Sequence, residues 1–237
     1  MIKEALQYLQ SLAVPQTVSV EGRAYATGSL KPVLDPTAEA VEVHTLTGLA
    51  TYINDHQSDL PPLETLMLVV LSPTTVLLGT HAAGEFRQRR SCALAKTQHQ
   101  DFPFGQYLPQ EEFCIALMTR FVHDENQEAV LALAGNLAAG MEVQTEDDGF
   151  TQRVTVQTGV VRKANVKVTN PVILRPYRTF IEVEQAPCPL VIRMRKGKDG
   201  TPECALFEAD GGLWKTVAAK NIHDWLRANV KDVSVLA

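Results

Sequence analysis

The spacing of apolar and polar positions changes period along this chain. In IKEALQYLQSL, Ile2, Ala5, Leu6, Leu9 and Leu12 recur at helical spacing, and Pro15 closes the segment. Residues 16–40 keep no period, and their Pro, Gly and Thr content predicts a loop or extended arm. VEVHTL reads as a short strand. Thr47 is then placed as the cap of a helix, TGLATYINDH, with Leu49, Tyr52 and Ile53 on one face. TLMLVVLS and TVLLGT are apolar, β-rich runs on either side of Ser72-Pro73-Thr74, the pattern of a hairpin, and EFRQRRSCALAKT continues that sheet. Two helices follow. PQEEFCIALMTRFVH opens at Pro109, carries Glu111 and Glu112 in its first turn and shows a stripe of Phe113, Leu117 and Phe121. ENQEAVLALAGNLAAG ends at Gly140 as its C-cap.

From residue 142 the period becomes two. FTQRVTVQT, VVRKANVKVT, PVILRPY, RTFIEVEQ, PLVIRMRK and PECALFEAD are successive strand candidates, separated by Gly, Pro, Asn and Asp. LWKTVAAKNIHDWLRANV closes the chain as an amphipathic helix with Val217, Ile222, Trp225 and Leu226 inward. Helices and strands are partly segregated, so the fold class is α+β: antiparallel or mixed sheets flanked by several helices, with a strand-rich second half. The expected organisation is an N-terminal helix and extended arm over 1–40, then a single α+β domain over 41–237 with a sub-boundary near 141–150.

Residues 175–196, RPYRTFIEVEQAPCPLVIRMRK, alternate most regularly. Read as a hairpin turning at Ala186-Pro187-Cys188-Pro189, they place Glu182 opposite Arg193 and Phe180 beside Arg195. Such cross-strand ion pairs contribute on the order of 0.2–1 kcal/mol, so the pattern needs no ligand to explain it.

Charge adds a second layer. The net −5 divides into −11 over residues 1–150, +7 over 151–200 and −1 over the rest. The alternating strands gather Arg153, Lys163, Lys167, Arg178, Arg193 and Arg195 onto one expected polar face. A face of that kind suits a complementary subunit surface or single-stranded nucleic acid. Phe180 is its one aromatic, whereas single-strand binders stack bases on several, which favours the subunit contact.

Candidate chemistry is thin. The chain contains no GxxxxGK[ST], GxSxG, HExxH or GxGxxG, and Cys92, Cys114, Cys188 and Cys204 lack metal-ligand spacing. Four reduced, mostly buried thiols are expected. Asp147-Asp148-Gly149 reads as a turn rather than a cation loop, and Asp210-Gly211-Gly212 as a strand-to-helix turn rather than an anion site. His44, His81 and His99 have no regular spacing, and Arg87, Arg89 and Arg90 read as the outer face of a strand. No catalytic residue, metal ligand or cofactor-binding residue is assigned. No run reaches the ~18 apolar residues of a membrane span, and the N-terminus lacks a signal-peptide core, so a cytoplasmic protein is expected.

The order TGLATYI, a pair of apolar strands, the EEFCIAL helix, DDGFTQ, basic alternating strands and PLVIRMR resembles the layout of YfdQ-like proteins of phages and prophages over residues 45–196. That resemblance implies a non-enzymatic phage accessory protein in the host bacterial cytoplasm. Combined with strand-rich edges that need covering, the expected function is self-assembly into a homo-oligomer, a ring or a closed shell. The alternatives are a nucleic-acid-binding accessory factor in phage recombination and an inhibitor of a host defence protein.

Overall fold

A computed structural model of the chain describes residues 2–12, 15–26, 38–55, 60–84, 87–137, 143–147, 152–156 and 168–237. The fold is α+β, and the backbone divides into two compact units, Met1–Ala38 and Glu39–Ala237. The first unit holds α1 (Ile2–Leu12) and a hairpin of β1 (Thr17–Val20) and β2 (Arg23–Ala26). Over residues 17–26 the hairpin stands where a loop or extended arm is expected, and residues 27–37 of that arm lie outside the described residues. Its turn residues, Glu21 and Gly22, have φ of 53° and 79°. Two left-handed residues twist the turn to match the strands and close the pair at Val20 and Arg23. Strands of four residues are too short to announce themselves by alternation.

The second unit is built around two sheets. One has the order β13-β4-β5-β6-β3: β3 (Val41–Val43), β4 (Leu66–Ser72), β5 (Thr75–Thr80), β6 (Ser91–Lys96) and β13 (Ser234–Leu236). Its three central strands are antiparallel, and the two edge strands run parallel to their neighbours. The Ser72-Pro73-Thr74 hairpin forms as the pattern predicts. Against this sheet lie α2 (Leu46–Asn54) and α5 (Leu213–Asn229). Leu46, Leu49, Ile53, Leu68, Leu78, Ile222 and Leu226 are fully buried between them. The cap of α2 is Thr45, not Thr47: its hydroxyl oxygen accepts the Gly48 N–H at 3.0 Å. On α5, Ala218 takes the buried position expected of Val217, which is half-buried.

The other sheet, β10-β11-β12-β7, is antiparallel throughout: β7 (Leu108–Pro109), β10 (Val172–Leu174), β11 (Cys188–Lys196) and β12 (Pro202–Glu208). It packs on α3 (Gln110–Arg120) and α4 (Glu125–Gly135) around Phe113, Leu117, Phe121, Val130, Leu174, Leu190 and Leu206. The Phe113, Leu117 and Phe121 stripe is fully buried, as its spacing requires. Asp124 caps α4 by accepting the Gln127 N–H at 2.9 Å. Gly140, the expected end of α4, lies outside the described residues. A separate hairpin pairs β8 (Val143–Asp147), which the sequence pattern did not single out, with β9 (Gln152–Val156).

The 175–196 hairpin does not form. β11 pairs instead with β10 and β12, so Arg193 faces Ala205 and Arg195 faces Glu203. RTFIEVEQ is a loop, and its burial breaks the expected alternation. Thr179 and Val183 are buried as expected, but so are Arg178 and Phe180 of the opposite set, and Gln185, while Ile181 is 80% exposed. The physical reason is that the segment threads between two cores rather than lying on one. Val172 and Leu174 join the α3–α4 core, and Phe180 and Val183 join the α2–α5 core. Gln185 supplies the hydrogen bonds a strand partner would have made. Its Oε1 accepts the Arg178 N–H at 3.1 Å, and its Nε2 donates to the Phe180 and Val183 carbonyls at 3.1 and 3.3 Å.

Candidate functional site

Three of the six residues of the expected basic face, Arg178, Arg193 and Arg195, do not share one surface. Arg193 and Arg195 share the outer face of β11 with Val191, because successive strand residues alternate. Arg195 is committed on that face: its Nε donates to Glu203 at 2.7 Å, and its guanidinium carbon lies 3.8 Å from the Tyr107 ring centroid. Arg178 lies on the other side, where Glu208, in register with Leu190, belongs to the inner face. It is only 7% exposed, so it cannot contribute to a solvated face. Arg153 sits on β9 opposite Glu146, an acid at the same register. Lys163 and Lys167 lie outside the described residues, as do Asp148 and Gly149.

A groove of about 790 Å³ opens beside Arg195 at the β11–β12 turn. Arg195, Lys196 and Lys198 line it, and so do Glu111, Asp199 and Glu203. Three cations facing three carboxylates make a polar, charge-balanced surface rather than a positive one.

Arg178 organises the second concentration of polar groups. Its guanidinium carbon lies 4.0 Å from the Trp214 ring centroid and 4.8 Å from that of Phe104. Its Nη1 donates to Glu208. Around it, the Cys188 thiol and the Glu208 and Asp210 carboxylates come within 4.8 Å of one another, a spacing a metal ion could use. The chemistry of the set argues otherwise. Arg178 already occupies the electrostatic place of the cation. Burial pushes the Cys188 thiol up from its ordinary value, against a smaller opposing pull from Arg178, so the thiolate a metal needs is disfavoured. Asp210 is engaged with α5: its carboxylate accepts the Gly212 and Trp214 N–H groups at 3.0 and 2.9 Å. The strand-to-helix turn read from Asp210-Gly211-Gly212 is what forms, with Gly211 and Gly212 at φ of 61° and 87°.

The N-terminal unit carries the surface that sequence periodicity described least. In the β1–β2 register Val18 pairs with Tyr25 and Val20 with Arg23, so Val18, Val20 and Tyr25 share one face with the Arg23 position beside the turn. They are 44%, 52% and 52% exposed. On α1, Leu6 and Tyr8 are 60% and 65% exposed. A unit of this length lies below the ~40 residues at which a core alone holds a fold together. It has no cysteine to compensate. The signal that could have revealed this surface is Val18-x-Val20 and Tyr25 on either side of Glu21-Gly22.

No helix among the described residues is long and apolar enough to cross a membrane. Comparison of the chain with protein-family models, with curated proteins and with solved structures finds no match.

Proposed function

We propose that this chain is a non-enzymatic subunit that self-assembles through its N-terminal unit. The observation that carries the reading is the exposed apolar face of the β1–β2 hairpin, Val18, Val20 and Tyr25, together with Leu6 and Tyr8 on α1. A two-stranded hairpin is at best marginally stable in water without something against its apolar face. A second copy of the same hairpin supplies that cover at no further requirement, because a two-fold contact places one patch on itself. An exposed, mainly apolar patch on a unit this short supports the reading. The phage setting rests on the layout of residues 45–196 alone, and the assembly reading does not depend on it.

The test is the particle mass in solution of the full chain and of a chain lacking residues 1–38. The full chain is expected at a multiple of 26.0 kDa. The truncated chain is expected as a monomer with unchanged melting behaviour, since both cores of the second unit lie within residues 39–237. The double substitution Val18→Asp, Tyr25→Asp should act like the truncation. A monomeric full chain, or a truncated chain that stays multimeric, rejects the reading.

A further inference from the structure

The helices α2 and α5 pack on one face of the five-stranded sheet, the face that carries Leu66, Leu68, Val76, Leu78, Ala93 and Ala95. Strand residues alternate between faces, so the register fixes what the opposite face presents. One row crosses it through directly paired residues: Leu236, Val69, Leu77, Leu94 and, at the β3 edge, Glu42. Leu71, two residues beyond Val69, widens the row toward the β4–β5 turn. Leu71 and Leu236 are 56% and 52% exposed, and Val69, Leu77 and Leu94 are half-buried. None of these five apolar residues belongs to either core.

The rows on either side of this strip each bring a cation to it. On one side Ser234, Met67 and Gly79 are in register, and Arg89 Nη1 lies 2.9 Å from Met67 Sδ. On the other side Thr75 pairs with Lys96. Arg89 and Lys96 are exposed, and neither makes an ion pair among the described residues. The four apolar residues of the row span three strand spacings, about 14 Å, the length of roughly ten helical residues. A strip one side chain wide matches the apolar stripe of one helix. A second copy of the sheet fits less well. Face-to-face sheets interdigitate apolar side chains over their whole width, and here they would bury Arg89 and Lys96 with no acid beside them.

We propose that this face docks an amphipathic helix of another protein, one with aspartate or glutamate on both sides of its apolar stripe. The stripe lies on Val69, Leu77 and Leu94, and the flanking carboxylates face Arg89 on one side and Lys96 on the other. Charges beside an apolar seam choose partner and orientation in the same way between paired helices. The face lies wholly within the unit Glu39–Ala237, so the proposal is independent of the N-terminal hairpin that carries the assembly reading.

The experiment titrates the full chain with a synthetic helical peptide of about 18 residues, leucine along one stripe and glutamate on both flanks, and follows the methyl NMR signals. The control is the same peptide with lysine in place of glutamate. The glutamate peptide is expected to shift Val69, Leu71, Leu77, Leu94 and Leu236 saturably and to bind at least about tenfold tighter than the lysine peptide. Arg89→Glu with Lys96→Glu should reverse that preference. Leu71→Asp with Leu236→Asp, both at exposed positions, should weaken the glutamate peptide at least about tenfold with little change in melting temperature. Equal binding of the two peptides overturns the proposal, as does no saturable binding up to roughly 1 mM. A smaller particle mass for the Leu71→Asp, Leu236→Asp chain without peptide also overturns it, by giving the face to a second copy. None of these results bears on the hairpin, whose test is the Val18→Asp, Tyr25→Asp chain.

Discussion

Arg178 sits between the rings of Phe104 and Trp214, donates to Glu208 and is 7% exposed. Which of these contacts matters most can be ranked. The Glu208 side chain is 41% exposed, so solvent screens the ion pair to a fraction of a kcal/mol. A desolvated guanidinium on an aromatic face is worth ~2 kcal/mol, and its buried stem adds packing. Arg178→Ala should therefore cost about 2–3 kcal/mol in urea unfolding, and Glu208→Gln well under 1. Arg178→Lys should recover only part of the loss, because an ammonium cannot lie flat between two rings. Equal losses for Arg178→Ala and Glu208→Gln would show that the ion pair, not the stacking, dominates. The thiols make a second test at this scale. Burial pushes Cys114 and Cys188 up, and Cys204 to about 12, so none favours the thiolate at neutral pH. Native protein should react slowly with a thiol reagent, Cys204 last, and all four cysteines should titrate once it is unfolded. The Arg178 sandwich could not be read from RPYRTFIEVE, since its partners Phe104, Trp214 and Glu208 come from distant segments.

Elements with a strong period and a single core to face were legible. α3 and α5, with Phe113, Leu117 and Phe121 or Ile222 and Leu226 inward, follow from spacing alone, as does the β4–β5 hairpin from Ser72-Pro73-Thr74. The 175–187 loop was misread because its charge–apolar alternation does not follow its burial: Phe180 and Val183, three apart, join the α2–α5 core, and the side chain of Gln185 takes the place of a strand partner. The cap of α2 was displaced because both Thr45 and Thr47 precede the apolar face, and only geometry shows which hydroxyl reaches Gly48. Asp210 lies at the start of α5, and its titration can be tested. Burial raises its pKa, but the Gly212 and Trp214 N–H groups, with Cys188 and Arg178, outweigh that and hold the carboxyl below its ordinary value. A pKa depressed in the folded state stabilises the fold above the unfolded-state value of ~3.9, and the contribution is lost as pH falls through the folded value. Asp210→Asn keeps one of the two acceptor oxygens and loses the other together with the charge at the helix start. It should cost about 1–2 kcal/mol at neutral pH, with the gap from the parent closing in acid below the ordinary aspartate range. A gap that persists unchanged there would mean the loss is one of packing.

At the scale of the whole molecule, the assembly reading draws on two kinds of surface that respond differently to salt. The hairpin face of Val18, Val20 and Tyr25 is apolar except at the Arg23 position beside the turn, whereas the −11 of residues 1–150 and the +7 of residues 151–200 are opposite charge. A two-fold hairpin contact closes on itself and makes a dimer. Anything larger needs a second contact, and the opposed charges are the available candidate. Exposed charges more than about 10 Å apart are largely screened at 0.1 M salt, and apolar contacts are not. Raising salt should therefore reduce a larger particle to dimers and stop there. The chain lacking residues 1–38 should be monomeric at high salt, with at most weak association at low salt. Dissociation of the full chain directly to monomers by salt would assign the assembly to charge and leave the hairpin face without this role. The same series tests the nucleic-acid alternative, because counterion release makes such binding fall steeply with salt. Arg178 is buried and Arg195 is bonded to Glu203, so two of the six cations expected on the basic face are not open to phosphate. Single-stranded oligonucleotide should therefore leave the dimer mass unchanged even at low salt, and a bound oligonucleotide that salt releases would restore that alternative.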